Sequence, residues 1–287
     1  DSTEIAHRLA GIYGIETNFT PEQKAAFAKK KAVEDKLQIV AKFLTDSLNG
    51  ENGAQARAYL AERGLQPTAR LGAYNGQIRA NLKANLMNAT REPEQAIEDF
   101  LKAALPMIPA DYQLVIPCYS YGKCTGIVGR LTATEKNYID KDGNEVPKRK
   151  YWNSTDAVFK KGGYLTEAKA GLPFIVVEGY LDAERLKQAG LPKDYNIFAF
   201  GTMGLTGVGA EDAEADQVKT MLRYGAEELI LIPDYEFEKD GSIRTTFTAN
   251  TIKKLQPYLK ARHDARGFIA LRIADLCDNT SEKQDAD

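Results

Sequence analysis

Apolar positions recur along the first hundred residues at intervals of three and four, the spacing that lays one apolar stripe along an α-helix. Ile5, Leu9 and Ile12 open the pattern. Thr20-Pro21-Glu22 then reads as a helix start: the hydroxyl can cap the first turn, and Pro fits the first helical position, where an N–H would be unused. Leu37, Val40, Ala41 and Leu44 mark the buried face of a further helix, which Asn49-Gly50 should break. A short helix is predicted over 54–63, ended by Gly64, and another from Glu94 to Leu105, closed by Pro106 and Pro109.

The period then shortens. Leu114-Val115-Ile116-Pro117 and Gly126-Ile127-Val128-Gly129-Arg130 read as short strands, with Tyr121-Gly122-Lys123 turning between them. Asp142-Gly143 suits a hairpin tip in a loop-rich basic stretch that ends near Gly163. From residue 173 strands and helices alternate. Phe174-Ile175-Val176-Val177 is a continuous apolar run, as in a strand covered on both faces. A helix follows with Leu181, Leu186 and Ala189 inward and Gly190 as its stop, then a strand at Ile197–Phe200 and part of a helix at Gln217–Arg223. A strand at Leu229–Ile232, a helix from Ala249 to Arg262 and a strand at Phe268–Ile273 complete the series.

The expected class is therefore α/β, with an α+β N-terminal part followed by an open, mainly parallel sheet flanked by helices. Three segments are expected: a helical one over 1–50, a mixed core with a basic segment over 51–170, and a sheet domain over 171–287.

Composition narrows the function only slightly. A hydrophobic content of 43% and a net charge of −2 describe an ordinary globular chain, so any nucleic-acid site must be a local patch. No apolar run approaches the length of a membrane span, and the first residues lack the pattern of a signal peptide. The start at Asp1, without Met, and the polar, acidic end suggest a piece of a longer protein. Three cysteines, Cys118, Cys124 and Cys277, fit a reducing, cytoplasmic setting and ordinary packing. With only His7 and His263 to add, they do not form the four-ligand pattern of a structural zinc site.

Acidic residues cluster where the sheet pattern predicts a ligand edge, beyond the carboxyl ends of parallel strands. Glu178 follows Val177 directly, and Asp182 lies one helical turn later, on the same face if the helix has begun. Asp234 and Glu236 follow the strand at Leu229–Ile232, and Asp285 and Asp287 lie beyond the last strand. Gathered carboxylates repel one another, and divalent cations relieve that repulsion. Mg²⁺ takes such oxygens together with substrate phosphates, and two ions can clamp a phosphoryl transfer. The alternative stays open that these acids merely favour the positive ends of helix dipoles.

Lys148, Arg149, Lys150, Lys160 and Lys161 bracket Tyr151, Trp152 and Phe159, a mixture suited to single-stranded nucleic acid because charges track phosphates while rings stack on bases. A solvated hairpin with aromatic anchors would show the same pattern.

Val176-Val177-Glu178-Gly179-Tyr180-Leu181-Asp182 resembles the first motif of the Toprim fold as found in DnaG-type bacterial and phage primases. Ala58-Tyr59-Leu60-Ala61-Glu62-Arg63-Gly64-Leu65 is similar to that family's "YL-x-x-RGL" element, and Gly126-Ile127-Val128-Gly129-Arg130, after Ile116-Pro117 and Gly122, to its "P…G…GxxGR" hairpin. Lys150-Tyr151-Trp152-Asn153-Ser154 with Phe159-Lys160-Lys161-Gly162 is similar to "KYLNS…F-x-KG", and Leu186–Gly190 and Gly201-Thr202 match the elements after the glutamate.

The resemblance implies an RNA-primer-synthesising core, with 51–170 as the primase N-terminal subdomain and 171–287 as the Toprim catalytic domain. It implies Glu178, Asp182 and Asp234 as catalytic acids. It also implies Glu178, Asp234, Glu236, Asp285 and Asp287 as ligands of Mg²⁺ or Mn²⁺. Arg130, Lys148, Arg149, Lys150 and Lys161 would hold template or nucleotide phosphates, while Asn153 is either a contact or a turn-former. Glu236 and Tyr235 depart from the family's "DxD", and Phe237 to Arg244 has the look of an inserted hairpin. Partners implied are single-stranded DNA, ribonucleoside triphosphates and, through regions outside this sequence, a replicative helicase. A GxxxxGK[ST] loop is absent, which argues against a helicase motor in this chain. A Toprim nuclease or topoisomerase, and a DNA-binding replisome module without catalysis, are the alternatives.

Overall fold

The computed structural model describes residues 19–106, 109–120, 122–139, 141–154, 164–165, 168–190, 193–200, 221–222, 224–232, 260 and 270–273. Helix α1 runs unbroken over Pro21–Leu48. Thr20 caps it as expected: its hydroxyl accepts from the Gln23 N–H at 3.3 Å and the Gln23 side chain accepts from the Thr20 N–H at 3.0 Å. The sequence pattern suggested a second helix beginning near Leu37. Instead one helix continues, because no Gly or Pro interrupts Glu22–Leu48, and only its second half is buried. Leu37, Val40, Ala41 and Leu44 are its core face.

Helix α2, Ala54–Glu62, stops at Gly64 with φ of +68°. The Leu65 N–H reaches the Leu60 carbonyl and the Gly64 N–H the Ala61 carbonyl, both at 2.9 Å, which is a Schellman stop. Helix α3, Gly76–Thr90, was not anticipated. Its signals were present: Asn75 accepts from the Ile78 N–H at 2.8 Å, and Ile78, Leu82 and Leu86 recur every four residues. Helix α4, Glu94–Ala104, matches its expected span within a residue. Buried Lys36 on α1 pairs with Glu92 between α3 and α4, at 2.7 Å.

Two sheets follow. The first has the order β1 (Gly72–Ala73), β2 (Leu114–Ser120), β3 (Lys123–Arg130), β6 (Tyr151–Asn153), all antiparallel. The expected hairpin between β2 and β3 is present but longer, with a register shift at Cys118/Tyr119 and Gly122 at φ +77°. β6 lies inside the stretch expected to be loop-rich. Between β3 and β6, β4 (Asn137–Ile139) and β5 (Glu145–Pro147) form a hairpin around Gly143, as the Asp142-Gly143 pair suggested. Cys118 and Cys124 are buried packing residues, and Cys277 lies outside the described residues.

The second sheet has the order β11 (Ala270–Ile273), β10 (Glu228–Ile232), β8 (Phe174–Val177), β9 (Asn196–Ala199), β7 (Tyr164–Leu165). Its first four strands are mutually parallel and β7 is an antiparallel edge. Helix α5, Tyr180–Gln188, connects β8 to β9 and packs on both. Ala183 is buried, whereas Ala189, expected inward, forms the exposed C-cap ahead of Gly190. The protein is thus α/β with an open, mainly parallel sheet. Among the described residues, no helix is long and apolar enough to cross a membrane.

Alternation explains how continuous apolar runs serve two layers. Ile175, Val177, Ile197, Ala199 and Ile232 join one cluster with α1, α3, α4 and the first sheet, while Phe174, Val176, Phe198, Leu229 and Leu231 join a second with Met221 and Ala226. The two sheets share a buried core across the boundary expected near residue 170.

Gly129 lies on β3 where a Cβ would stand 2.7 Å from Pro106 Cγ and 3.1 Å from Tyr112 Cβ. Gly129→Ala should lower unfolding free energy by about 1–3 kcal/mol, measured by urea denaturation, because the ring of Pro106 cannot yield without moving the end of α4.

Candidate functional site

Parallel register puts the strand ends Val177, Ala199 and Ile232 at one edge: Val177 pairs with Ile232 on one side and Ala199 on the other. Glu178 leaves β8 at that edge and is half-buried. Gly179 is the N-cap of α5, which places Asp182 in the first turn. Glu178 therefore stands before the helix rather than on it, and the helical-face relation expected between the two acids does not apply.

Asp182 is 7% exposed. Its Oδ2 lies 1.9 Å from where a Cβ on residue 179 would be, so only glycine lets this carboxylate fold back over the helix start. Such a position also gains from the positive end of the helix dipole. The Glu-Gly-x-x-Asp spacing thus has a steric reason as well as a chemical one.

The first sheet is joined to this helix start through aromatic rings, with a cation behind them. Antiparallel register sets Arg130 of β3 opposite Tyr151 of β6, so both project from the same face. The guanidinium lies 4.9 Å from the Tyr151 ring centroid and 5.9 Å from that of Tyr59, and its Nε donates to the Tyr59 hydroxyl at 2.7 Å. Tyr151 in turn meets Tyr180, the first residue of α5, edge to face at 5.5 Å. Burial pushes the Tyr151 phenol up to about 12; the Arg130 charge opposes this and the Asp182 charge adds to it. Arg130 is 6% exposed. Burial alone would lower its pKa, but Tyr151 and Tyr59 outweigh that and hold it above its ordinary value.

Tyr59 and Arg63 were named in the sequence only as parts of a motif. They stand four apart on α2 and its cap, and Arg63 Nε also donates to the Tyr59 hydroxyl, at 3.0 Å. Arg185 of α5 donates to the Arg63 carbonyl, and Gln66 and Gln188 exchange two hydrogen bonds at 2.8 and 3.0 Å. The loop after α2 is thereby fastened to the helix that carries Asp182. The signal available in sequence was the four-residue spacing of Tyr59 and Arg63; that Tyr59 would also meet Arg130 depends on a strand 71 residues further on.

In the basic segment the side chains divide. Lys148 forms an ion pair with Asp111 at 3.0 Å, both side chains 14% exposed, so its charge anchors the strand edge. The Tyr112 hydroxyl donates to the Arg149 carbonyl at 3.0 Å and the Leu131 N–H to the Lys150 carbonyl, which leaves the side chains of Arg149 and Lys150 exposed. Lys150 Nζ lies 5.8 Å from the Tyr151 ring. Asn153 alternates with Tyr151 on β6, so it shares its face. Trp152 is half-buried, and the buried Ser154 hydroxyl donates to the Ala104 carbonyl at 3.1 Å and accepts from the Ile127 N–H at 2.9 Å.

Lys160, Lys161, Asp234, Glu236, Asp285 and Asp287 lie outside the described residues. Among the described residues no group of three or more His, Cys, Asp or Glu could hold a metal ion. Glu178 and Asp182 offer carboxylate oxygens, the donor type that suits Mg²⁺ and Mn²⁺. No family model matches the chain, and neither does any curated protein.

Two outcomes are expected. Lys148→Met should destabilise the fold by about 1–3 kcal/mol in a denaturant titration, because Asp111 would keep a mostly buried charge without its partner. Tyr74, Tyr119 and Tyr151 are each pushed up to about 12, chiefly by burial. From about pH 10 the unfolded chain gives up these phenolic protons while the fold retains them until about pH 12. Melting temperature should fall across that window, and these tyrosines should contribute no slope near neutrality.

Proposed function

We propose that the protein is the catalytic core of a DNA primase, synthesising short RNA primers on single-stranded DNA from ribonucleoside triphosphates. The observation that carries the proposal is the junction just described. Two acids stand at and just beyond the carboxyl end of a central parallel strand, and a buried arginine of the other sheet is linked to the helix that follows them through the edge-to-face rings of Tyr151 and Tyr180. In this reading carboxylates suited to metal stand at the edge where open α/β sheets bind ligands, and a guanidinium suited to phosphate is joined to them through two tyrosines. The motif order along the chain supports the same reading, and so does the continuous core that makes the two halves one framework.

In this reading 51–170 is the primase N-terminal subdomain and 171–287 the Toprim domain. Glu178 and Asp182, joined by Asp234, Glu236, Asp285 and Asp287, would hold Mg²⁺ or Mn²⁺. The bound ions would neutralise triphosphate charge and lower the pKa of the attacking 3′-hydroxyl. Glu178, half-buried directly after β8, contributes a carboxylate held at the strand end. Arg130 remains charged throughout the working pH range and binds phosphate oxygens. Arg149, Lys150 and Lys161 hold the template, with Lys148 securing the segment through Asp111, and Tyr151 stays protonated, which excludes it as a general base. Asn153 shares the face of Tyr151 and lies within the same contact surface. A cytoplasmic setting and a helicase partner, contacted through regions outside this sequence, belong to the same proposal.

One observation favours a second reading, a DNA-binding module without catalysis: the Asp182 carboxylate already serves the start of α5 and has a structural reason to be there. Mn²⁺ titration separates the two, since a purely structural acid leaves no carboxylate-dependent metal binding.

Glu178→Gln should abolish primer synthesis on single-stranded DNA with labelled nucleotides and Mn²⁺, while the melting temperature stays within a few degrees of the parent. Full activity in that variant would refute the assignment. Replacing Arg149 and Lys150 together by Ala should weaken single-stranded DNA binding by roughly tenfold at moderate salt and flatten the salt dependence by roughly 0.7 per lost phosphate contact, read by fluorescence anisotropy.

A further inference from the structure

The hydroxyl of Tyr59 receives two guanidinium groups, from Arg130 at 2.7 Å and from Arg63 at 3.0 Å, and both cations also lie against its ring. Two like charges meeting on one neutral oxygen repel each other, and Arg130 brings its charge into a site with almost no solvent. Among the described residues its side chain meets phenol rings and no ion-paired carboxylate. A buried cation so placed is relieved when an anion binds. Its Nε is committed to Tyr59 and the Tyr151 hydroxyl also stands within its reach; a phosphate would be taken by the terminal Nη1–Nη2 edge, the fork that binds two oxygens.

We infer that Tyr59 is the positioning residue of a phosphate site: through its hydroxyl it turns the Arg130 fork toward the triphosphate, and through Arg63 it ties that orientation to the helix carrying Asp182. The second half of the inference rests on the fastening between the α2 loop and α5. Arg63 donates to Tyr59 with its side chain and accepts from Arg185 with its carbonyl, while Gln66 and Gln188 clamp the next turn. A guanidinium held only by its own strand would sample several rotamers, because an arginine side chain has large rotamer entropy. Held by Tyr59 above Tyr151, it keeps one rotamer, so phosphate binding loses less entropy and the fork keeps its register with the acids. Tyr59 touches neither the acids nor the reacting atoms in this scheme; its effect passes through Arg130. The inference rests on the nucleotide reading of the site, and its test does not require primer synthesis.

The probe is inorganic tripolyphosphate, titrated calorimetrically into the full chain in the presence of Mn²⁺. Tyr59→Phe keeps the ring and removes only the hydroxyl. It should weaken tripolyphosphate binding by roughly tenfold, about the effect of one charge-assisted hydrogen bond. Arg130→Gln should weaken it further, and Tyr59→Phe placed in the Arg130→Gln background should then change affinity by less than about twofold, since the residue would have nothing left to orient. A Tyr59→Phe effect of equal size in both backgrounds would overturn the inference, as would unchanged affinity in the single variant. If Tyr59→Phe does not melt cooperatively, Tyr59→His, which retains a ring and an acceptor, replaces it. Affinity within about threefold of the parent is then expected, and a loss as large as that of Arg130→Gln would overturn the proposal. Primer synthesis by Glu178→Gln, measured separately, bears on the primase reading alone: a failure there leaves the phosphate site standing.

Discussion

The parallel sheet of β8, β9 and β10 has apolar side chains on both faces, and this dictates much of what surrounds it. A sheet of this kind cannot leave either face in water, since each exposed large aliphatic side chain would forfeit about 1.5–3 kcal/mol of transfer free energy. One face closes over Met221 and Ala226. The other is continuous with α1, α3, α4 and the first sheet, so the two sheets are welded by a single apolar cluster. Because the weld is made of side chains alternating along short strands, a slip of one residue in any strand would exchange its two faces. The carboxyl edge at Val177 and Ile232 and the position of β3 and β6 are therefore set together.

Charged groups of the candidate site and the basic segment are each accommodated by a different local device. Asp182 folds back over a glycine that alone leaves room for it. Arg130 is enclosed by phenol rings. Lys148 is neutralised by Asp111, so the nearby exposed charge falls to Arg149 and Lys150. Burying an ion is costly unless something returns the lost hydration. For Asp182 the helix dipole contributes and for Lys148 an ion pair does. The aromatic cage of Arg130 does so less completely, which gives the proposed phosphate site its driving force.

Much of the architecture was legible from periodicity. The capped start of α1, the glycine stop of α2, α4, the β2–β3 hairpin and the cores of β8, β9 and β10 all follow from local signals: a hydroxyl before a proline, a glycine after an apolar turn, short continuous apolar runs. α3 escaped because its apolar positions are single residues spaced four apart among polar ones, and because attention to Gly and Pro as punctuation passes over an asparagine cap. β6 escaped because three residues between Lys150 and Ser154 carry too little pattern to separate a sheet strand from a loop; only its pairing with β3 decides the matter.

For the candidate site the division is similar. Glu178 and Asp182 could be singled out as candidates from residue type and spacing, because strand ends are where open α/β sheets present ligand groups, and Arg130 from the resemblance of its hairpin motif. That Asp182 is buried against Gly179, that Lys148 is spoken for by Asp111, and that Tyr59 gathers two arginines could not be read along the chain. These relations join residues 37 to 71 positions apart, or turn on a missing methyl group, and they exist only once two sheets have packed. Local propensity and apolar period are properties of neighbouring residues, and sequence carries them openly; the pairing of distant charges is a property of the closed core, which tertiary structure alone decides.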